Sequence, residues 1–339
     1  MTKINKLILH IGVHKTGTTA IQTFLYENRE VLQRQGFYLP VFLYGSKPKA
    51  TVLRSSIIKK RKNKTRVYLR DIVAHAKENF CDTVVISDED YSKTNEYDLS
   101  NVKIFSEFFE QIEVLMYCRR PDRQSESGYA FCVMWEATQY NKSPEEWYRD
   151  NPGNEYYRHA MFYKQAIPAC EIKVMSYDLN VNRLIPSFVE SCGMQDGPYI
   201  LPKKEESNIS ANKYMVEVMN DINQFAMSDR VFLQVKGDVV NHEKLQRGPV
   251  AIFFSEEQRS LNQSRIEEIT KKFIDEFHDG QPLFEAYKPI QVPKGLDEET
   301  KEMIITGIVK KYHLKIKKTS GFIVRLKRYL KRIWERHRY

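Results

Sequence analysis

The chain has no run of eighteen apolar residues, which excludes a membrane-crossing helix. No apolar leader segment precedes the first strand-like run, so no secretory signal is expected. Cysteine is sparse and unpatterned. Cys81, Cys118, Cys132, Cys170 and Cys192 are odd in number, scattered, and never spaced as CxxC. That excludes a zinc ribbon and a disulfide frame, and it points to buried, reduced thiols in a cytosolic protein. Internal repeats and low-complexity tracts are also missing. The formal charge of +9 is not spread along the chain. From Gly321 to Tyr339, Arg325, Lys327, Arg328, Lys331, Arg332, Arg336 and Arg338 face only Glu335, a local +6 that leaves +3 for the rest. The bulk is mildly basic, so a nucleic-acid reading loses its support. The 339 residues, 42% of them hydrophobic, suffice for one large α/β domain with extensions, or for two domains.

The most informative stretch runs from Lys6 to Thr19. Leu7-Ile8-Leu9 reads as a short strand, Gly12 to Gly17 as a phosphate-sized turn, and the residues after it as a helix. Backbone N–H groups and the helix dipole at such a junction make an anion site. The spacing nearly fits GxxxxGK[ST], but Thr18 stands where an ATPase places its lysine. The only lysine in the loop is Lys15, on the near side of the second glycine.

Ile112 to Cys118 reads as a second buried strand, followed at once by Arg119-Arg120-Pro121 and a helical segment, Arg123 to Trp135. Arg119, at the strand end, and Ser127, in the helical segment, lie eight residues apart, and a forked guanidinium is the natural partner of a phosphate. Arg120 is the weaker partner, and Ser125 competes with Ser127. Thr83 to Ile86 reads as a third core strand, with Ser87-Asp88-Glu89-Asp90 just beyond its end. Chemistry in open α/β sheets sits outside the carboxyl ends of strands. Glu89 is the candidate base, Asp88 and Asp90 are its alternatives, and His14 in the loop is its rival.

The pattern GxxKxGTT, with CRRPDRQSESGY and SDE, resembles the sulfotransferases that use 3′-phosphoadenosine 5′-phosphosulfate (PAPS), closest to bacterial carbohydrate and polysaccharide sulfotransferases. The resemblance covers roughly residues 1–220 and rests on these three motifs. It implies an α/β fold with a parallel β-sheet flanked by helices, the P-loop nucleotide-kinase-like sulfotransferase fold, with a helical C-terminal extension. The implied domains are 1–290 for the enzyme and 291–339 for the extension. The implied reaction is in-line transfer of a sulfuryl group from PAPS to a hydroxyl or amine of a glycan or glycolipid, a polysaccharide or lipopolysaccharide among them. In that reading Lys15 steadies charge on the leaving phosphate oxygen. Thr16, Gly17, Thr18 and Thr19 hold the 5′-phosphate, and Arg119 and Ser127 the 3′-phosphate. Glu89 or His14 takes the acceptor proton, Asn208, with Ser210 near it, touches the nucleotide, and no metal is required. The alternatives are a P-loop kinase-type phosphotransferase and a non-catalytic membrane-surface protein that keeps the fold.

Elsewhere the pattern predicts helices over Thr18–Gln35, Arg66–Asn79, Lys103–Gln111, Tyr156–Ile167, Arg183–Cys192, Tyr214–Phe225, Glu256–Phe277 and Glu298–Tyr312. It predicts strands at Phe37–Pro40 and Glu171–Ser176. Phe42 to Arg66 reads as a long irregular region with a basic run, Lys59 to Lys64, either an acceptor-binding lid or a solvated insertion. Phe322, Leu326, Tyr329, Leu330, Ile333 and Trp334 recur at helical spacing among the tail's basic residues. That basic amphipathic segment, 321–339, suits an anionic membrane surface, with a partner or its own domain as alternatives. The resulting expectation is a bacterial cytoplasmic enzyme, peripheral on the inner face of the membrane.

Overall fold

A computed structural model describes residues 3–43, 50–151, 153, 155–202, 211–285 and 289–316, without the side chains of 261–265, 269 and 316. In chain order the elements are β1 (Ile4–His10), α1 (Thr18–Glu27), α2 (Arg29–Arg34), β2 (Phe37–Tyr38), α3 (Thr51–Ile58), α4 (Lys62–Glu78), β3 (Thr83–Ser87), α5 (Leu99–Val102) and β4 (Phe109–Cys118). They continue with α6 (Pro121–Val133), α7 (Pro144–Asp150), α8 (Tyr156–Ala166), β5 (Glu171–Ser176), α9 (Tyr177–Asn180), α10 (Leu184–Cys192) and α11 (Lys213–Ile222). The last are β6 (Phe225–Ala226), α12 (Asp229–Asn241), α13 (Glu243–Gln246), α14 (Glu256–Phe277), α15 (Glu298–Lys311) and β7 (Lys315–Ile316).

The apolar runs become one parallel sheet of five strands in the order β2-β3-β1-β4-β5. Successive side chains on a strand point to opposite faces, and both faces here are covered. Leu7, Leu9, Val84, Ile86, Val114 and Met116 belong to one hydrophobic cluster. Ile8, Val85, Leu115 and Tyr117, the residues between them, belong to another. The fold is therefore α/β with helices on both sides of a parallel sheet. The chain builds β2 and β3 on one side of β1, then crosses to build β4 and β5 on the other. The crevice for a ligand in such a sheet opens at that reversal, at the carboxyl end of the central strand.

Three local expectations change. The helix expected over Lys103–Gln111 is a short turn of helix that stops at Glu107, because Phe109 to Gln111 already belong to β4. The helix after the loop breaks at Asn28, whose amide donates to Phe24 O and Ile200 O while its Oδ1 accepts the Ile200 N–H. A side chain turned to a residue so far along the chain ends the first helix and starts α2. The region from Phe42 to Arg66 is not irregular where it is described. Leu53, Ser56 and Ile57 are buried at helical spacing on α3, and Thr65, Leu69, Ile72 and Val73 on α4. Of the basic run, Lys59 to Arg61 make the turn between the two helices and Lys62 to Lys64 begin α4.

The chain divides into two compact units. The first lies within Met1–Gln124, Pro152–Ile209 and Leu261–Lys288 and holds the sheet. The second lies within Ser125–Asn151, Ser210–Ser260 and Pro289–Tyr339. Its core gathers Tyr129, Val133, Tyr148, Val216, Met219, Phe232, Phe254 and Ile305. At its heart Arg259, 2% exposed, donates through Nη2 to both oxygens of Glu126, each at 2.9 Å. Glu126 Oε1 also accepts the N–H groups of Phe253 and Phe254.

Candidate active site

The site grows from the carboxyl end of β1. Asp88 N–H donates to His10 O at 3.2 Å and Ile11 N–H to Leu115 O at 3.1 Å, so the loop leaves the sheet wedged between β3 and β4. Gly12 (φ +31), Lys15 (φ +72) and Gly17 (φ +76) all adopt left-handed backbone. Turns of this kind gather successive N–H groups into an anion-binding hollow. Both glycines are sterically required. A Cβ on Gly12 would overlap Thr18 Cγ2, and one on Gly17 would overlap Leu184 Cδ2 and stand 3.1 Å from Tyr177 Cε2. Lys15 has no such excuse, and a non-glycine residue held at positive φ costs about 1–2 kcal/mol. Thr16 is buried and closes the turn, its Oγ1 donating to Val13 O at 2.5 Å. Thr18 starts α1, whose N-terminus has no side-chain cap and no acidic residue in its first turn.

Arg119 follows β4 and is tied to the loop. Its Nη1 donates to Lys15 O at 3.4 Å, its Nε lies 3.7 Å from Asp178 Oδ1, and its guanidinium stands 5.4 Å from the centre of the Tyr177 ring. Tyr156 locks its backbone, donating to Arg119 O at 2.6 Å and accepting the Arg119 N–H at 3.2 Å. Gln124 joins the same frame, its Oε1 2.8 Å from Tyr156 Oη and its Nε2 donating to His14 O at 3.3 Å. Arg120 is bound two-pronged to Asp122, at 2.7 and 3.0 Å, while its N–H reaches Asp178 Oδ2 at 2.5 Å. Burial raises the Asp178 carboxyl, against the pull of the Arg120 N–H and the two guanidinium groups. Burial also holds the Tyr156 phenol well above its ordinary value.

The acidic turn after β3 separates three carboxylates by environment. Asp88 is fully buried, caps the turn by accepting Asp90 N–H at 3.0 Å, and lies 3.1 Å from Arg54 Nε. Asp90 pairs with Arg54 Nη1, with Lys93 Nζ at 3.0 Å and with His14 Nε2 at 3.3 Å. Burial works to raise the Asp90 carboxyl, but His14, Arg54 and Lys93 together hold it well below the usual carboxylate range. Glu89 is half-buried and accepts from Gln22 Nε2 of α1 at 2.8 Å. Below the loop, His10 is fully buried with Nδ1 2.8 Å from Ser87 Oγ, and burial lowers its imidazole to about 4, with Glu89 working upward. His159, on α8, is bound to Thr94 Oγ1 at 3.1 Å and lowered to about 3 by burial, then by Arg158 and His14.

The sequence-predicted residues His14, Lys15, Thr16, Gly17, Thr18, Thr19, Glu89 and Arg119 thus share the carboxyl edge of one sheet in the first unit. Ser127 stands half-buried on α6 within the second unit, and its pairing with Arg119 stays an expectation. Ser125 is spent on Asn151 O. Asn208, Ser210 and the basic tail 321–339 lie outside the described residues. His10, Gln22, Arg54, Gln124, Tyr156, Tyr177 and Asp178 were not anticipated. Only Tyr177 and Asp178, directly after a predicted strand, carried a sequence signal. Among the described residues, no group of His, Cys, Asp and Glu is arranged to hold a metal ion, and no helix is long and apolar enough to cross a membrane.

No family model matches the chain, and no curated protein matches it. Among solved structures, the sulfotransferase domain from the curacin biosynthetic pathway aligns with 10% identity over 94% of this chain and 99% of its own, at a TM-score of 0.32. A structure from the PezAT chromosomal toxin–antitoxin system of Streptococcus pneumoniae aligns with 12% identity over 70% of this chain and 87% of its own, at a TM-score of 0.24. At such scores neither likeness bears on the chemistry, which rests on the geometry above.

Proposed function

We propose that the protein is a PAPS-dependent sulfotransferase acting on a hydroxyl or amine of a glycan or glycolipid. The observation that carries this reading is the join between Lys15 and Arg119. A strained loop lysine and a strand-end arginine meet through the hydrogen bond to Lys15 O, beside a helix N-terminus without a side-chain cap. Strain held at a loop residue is a mark of a functional site. The two glycines let the loop close tightly against Thr18, Leu184 and Tyr177, and the donors of the loop and of Arg119 suit an anion with phosphate groups at two ends. Thr18 in place of the Walker lysine speaks against a kinase.

PAPS, when bound, supplies the activated sulfuryl group and a phosphate leaving group. The residues present fit it. The loop backbone with Thr16, Gly17, Thr18 and Thr19 holds the 5′-phosphate, and Arg119 holds the 3′-phosphate. Lys15 neutralises charge that develops on the leaving oxygen. Arg119 arrives already oriented, by Tyr156 on its backbone and by Tyr177 and Asp178 on its side chain. Preorganised donors of this kind act without reorganising during the reaction. The acceptor proton goes to Glu89 or His14. The tail 321–339 attaches the enzyme to an anionic membrane surface and brings it to a membrane-borne acceptor.

The test is nucleotide titration. Adenosine 3′,5′-bisphosphate binds much more tightly than AMP, and Arg119→Ala removes most of that difference, a loss on the order of 2–4 kcal/mol. Equal affinity of the wild type for the two nucleotides contradicts the reading.

A further inference from the structure

We propose that His14 is the group that takes the acceptor proton, and that Asp90 is its positioning residue. The inference rests on the sulfuryl-transfer reading and deepens it by deciding between the two candidate bases. His14 sits inside the loop, adjacent to Lys15, with 45% of its side chain exposed. Its Nε2 faces Asp90 Oδ1 at 3.3 Å. A neutral imidazole whose Nε2–H is given to a carboxylate keeps its lone pair on Nδ1, the form a general base needs. A base oriented by a third group is the recurring arrangement in nucleophile activation.

Asp90 is built for that task. It is buried, and Arg54 and Lys93 grip it from α3 and from its own turn. Arg54 is in turn fixed by Asp88. The carboxylate therefore cannot swing away from the histidine without breaking its ion pairs. Glu89 is differently placed. Its Oε2 accepts from Gln22, which ties the acidic turn to α1. The charged groups joined to His14 are Asp90 and, through Asp90, Arg54 and Lys93, with Lys15 next to it in the chain and His159 acting on it from α8.

In the proposed step the acceptor O–H bond breaks and its proton passes to His14 Nδ1. The oxygen's electron pair forms the new bond to sulfur. The bond from sulfur to the bridging phosphate oxygen breaks, and its electron pair leaves on that oxygen, next to Lys15. The products are a sulfate ester, adenosine 3′,5′-bisphosphate and a protonated His14 that later gives its proton to water.

Two readouts test the proposal on the full-length protein. By ¹⁵N NMR, with His14→Gln as the assignment control, the neutral His14 ring shows its lone pair on Nδ1. Asp90→Ala takes the carboxylate from Nε2, and the same spectrum then shows a mixture of both tautomers. Asp90→Asn, a second variant in case Asp90→Ala does not fold, shifts the tautomers in the same direction. In kinetics, His14→Gln lowers kcat by about 100-fold or more while adenosine 3′,5′-bisphosphate binds as in wild type. Asp90→Ala also lowers kcat while the bisphosphate still binds. A His14→Gln enzyme with wild-type kcat, or a His14 tautomer indifferent to both Asp90 variants, overturns the proposal and leaves the sulfotransferase reading standing. A protein that ignores adenosine 3′,5′-bisphosphate overturns that reading, and with it the assignment of His14 as its base.

Discussion

Replacing His10 by glutamine isolates one titration inside the fold. His10 is fully buried beneath the loop, and burial lowers its imidazole from 6.5 to about 4. The folded state keeps the ring neutral, whereas the unfolded chain takes up a proton at the ordinary value. Between about pH 4 and 6.5 the unfolded state therefore holds more protons, so stability rises with pH across that window. The contribution is complete above the unfolded value and is lost as pH falls towards the folded one. With these two values, linkage gives a loss of about 2 kcal/mol at pH 5 and about 3 kcal/mol below pH 4. His159, lowered to about 3, adds a similar loss at pH 5, but it is present in both proteins and cancels in the comparison. Glutamine retains an amide that can reach Ser87 Oγ and carries no titratable proton. Urea denaturation of both proteins at about pH 7.5 and pH 5 is the assay. The wild type loses about 2 kcal/mol more than His10→Gln on acidification, whatever the variant's own baseline. Equal losses in the two proteins refute the account of a buried, neutral His10.

Other perturbations have equally direct readouts. Gly17→Ala forces a side chain onto left-handed backbone against Leu184 and Tyr177, so it destabilises by about 2 kcal/mol or more and abolishes tight nucleotide binding; a variant with wild-type midpoint and affinity contradicts the loop geometry. Glu126→Ala strands the buried Arg259 and two backbone N–H groups, costing about 3–5 kcal/mol in a denaturation experiment, and a loss under about 1 kcal/mol removes the pair from the second unit's framework. Truncation after Ser320 removes a local +6 and the apolar stripe, so it abolishes salt-sensitive co-sedimentation with anionic liposomes; a full-length protein that ignores such liposomes at low salt makes the tail a docking or partner segment.

Much of the first unit was legible because it is local. The loop, the strand ends and the alternating two-sided core are written in short windows where glycine, lysine and apolar spacing act on near neighbours. Glu171 to Ser176 is the strand read from the sequence, and the loop lysine and Arg119 stand at the same sheet edge. What was illegible depends on distant partners. Asp88, Glu89 and Asp90 look alike in sequence, and only Arg54, Gln22 and His14 separate their roles. The break at Asn28 depends on Ile200, and the meaning of His10 on the rings of Tyr117 and Phe188 that enclose it. The second unit is assembled from three separated stretches, held by Glu126 and Arg259 from two of them. A linear reading has no signal for such a pairing.

The most direct test of the central claim is calorimetry in excess EDTA with adenosine 3′,5′-bisphosphate, set against ATP with magnesium. The account predicts saturable binding of the bisphosphate without any divalent cation, lost in Arg119→Ala, and little heat from ATP-magnesium. Tight ATP-magnesium binding with no response to the bisphosphate would contradict it and return the protein to the P-loop kinases.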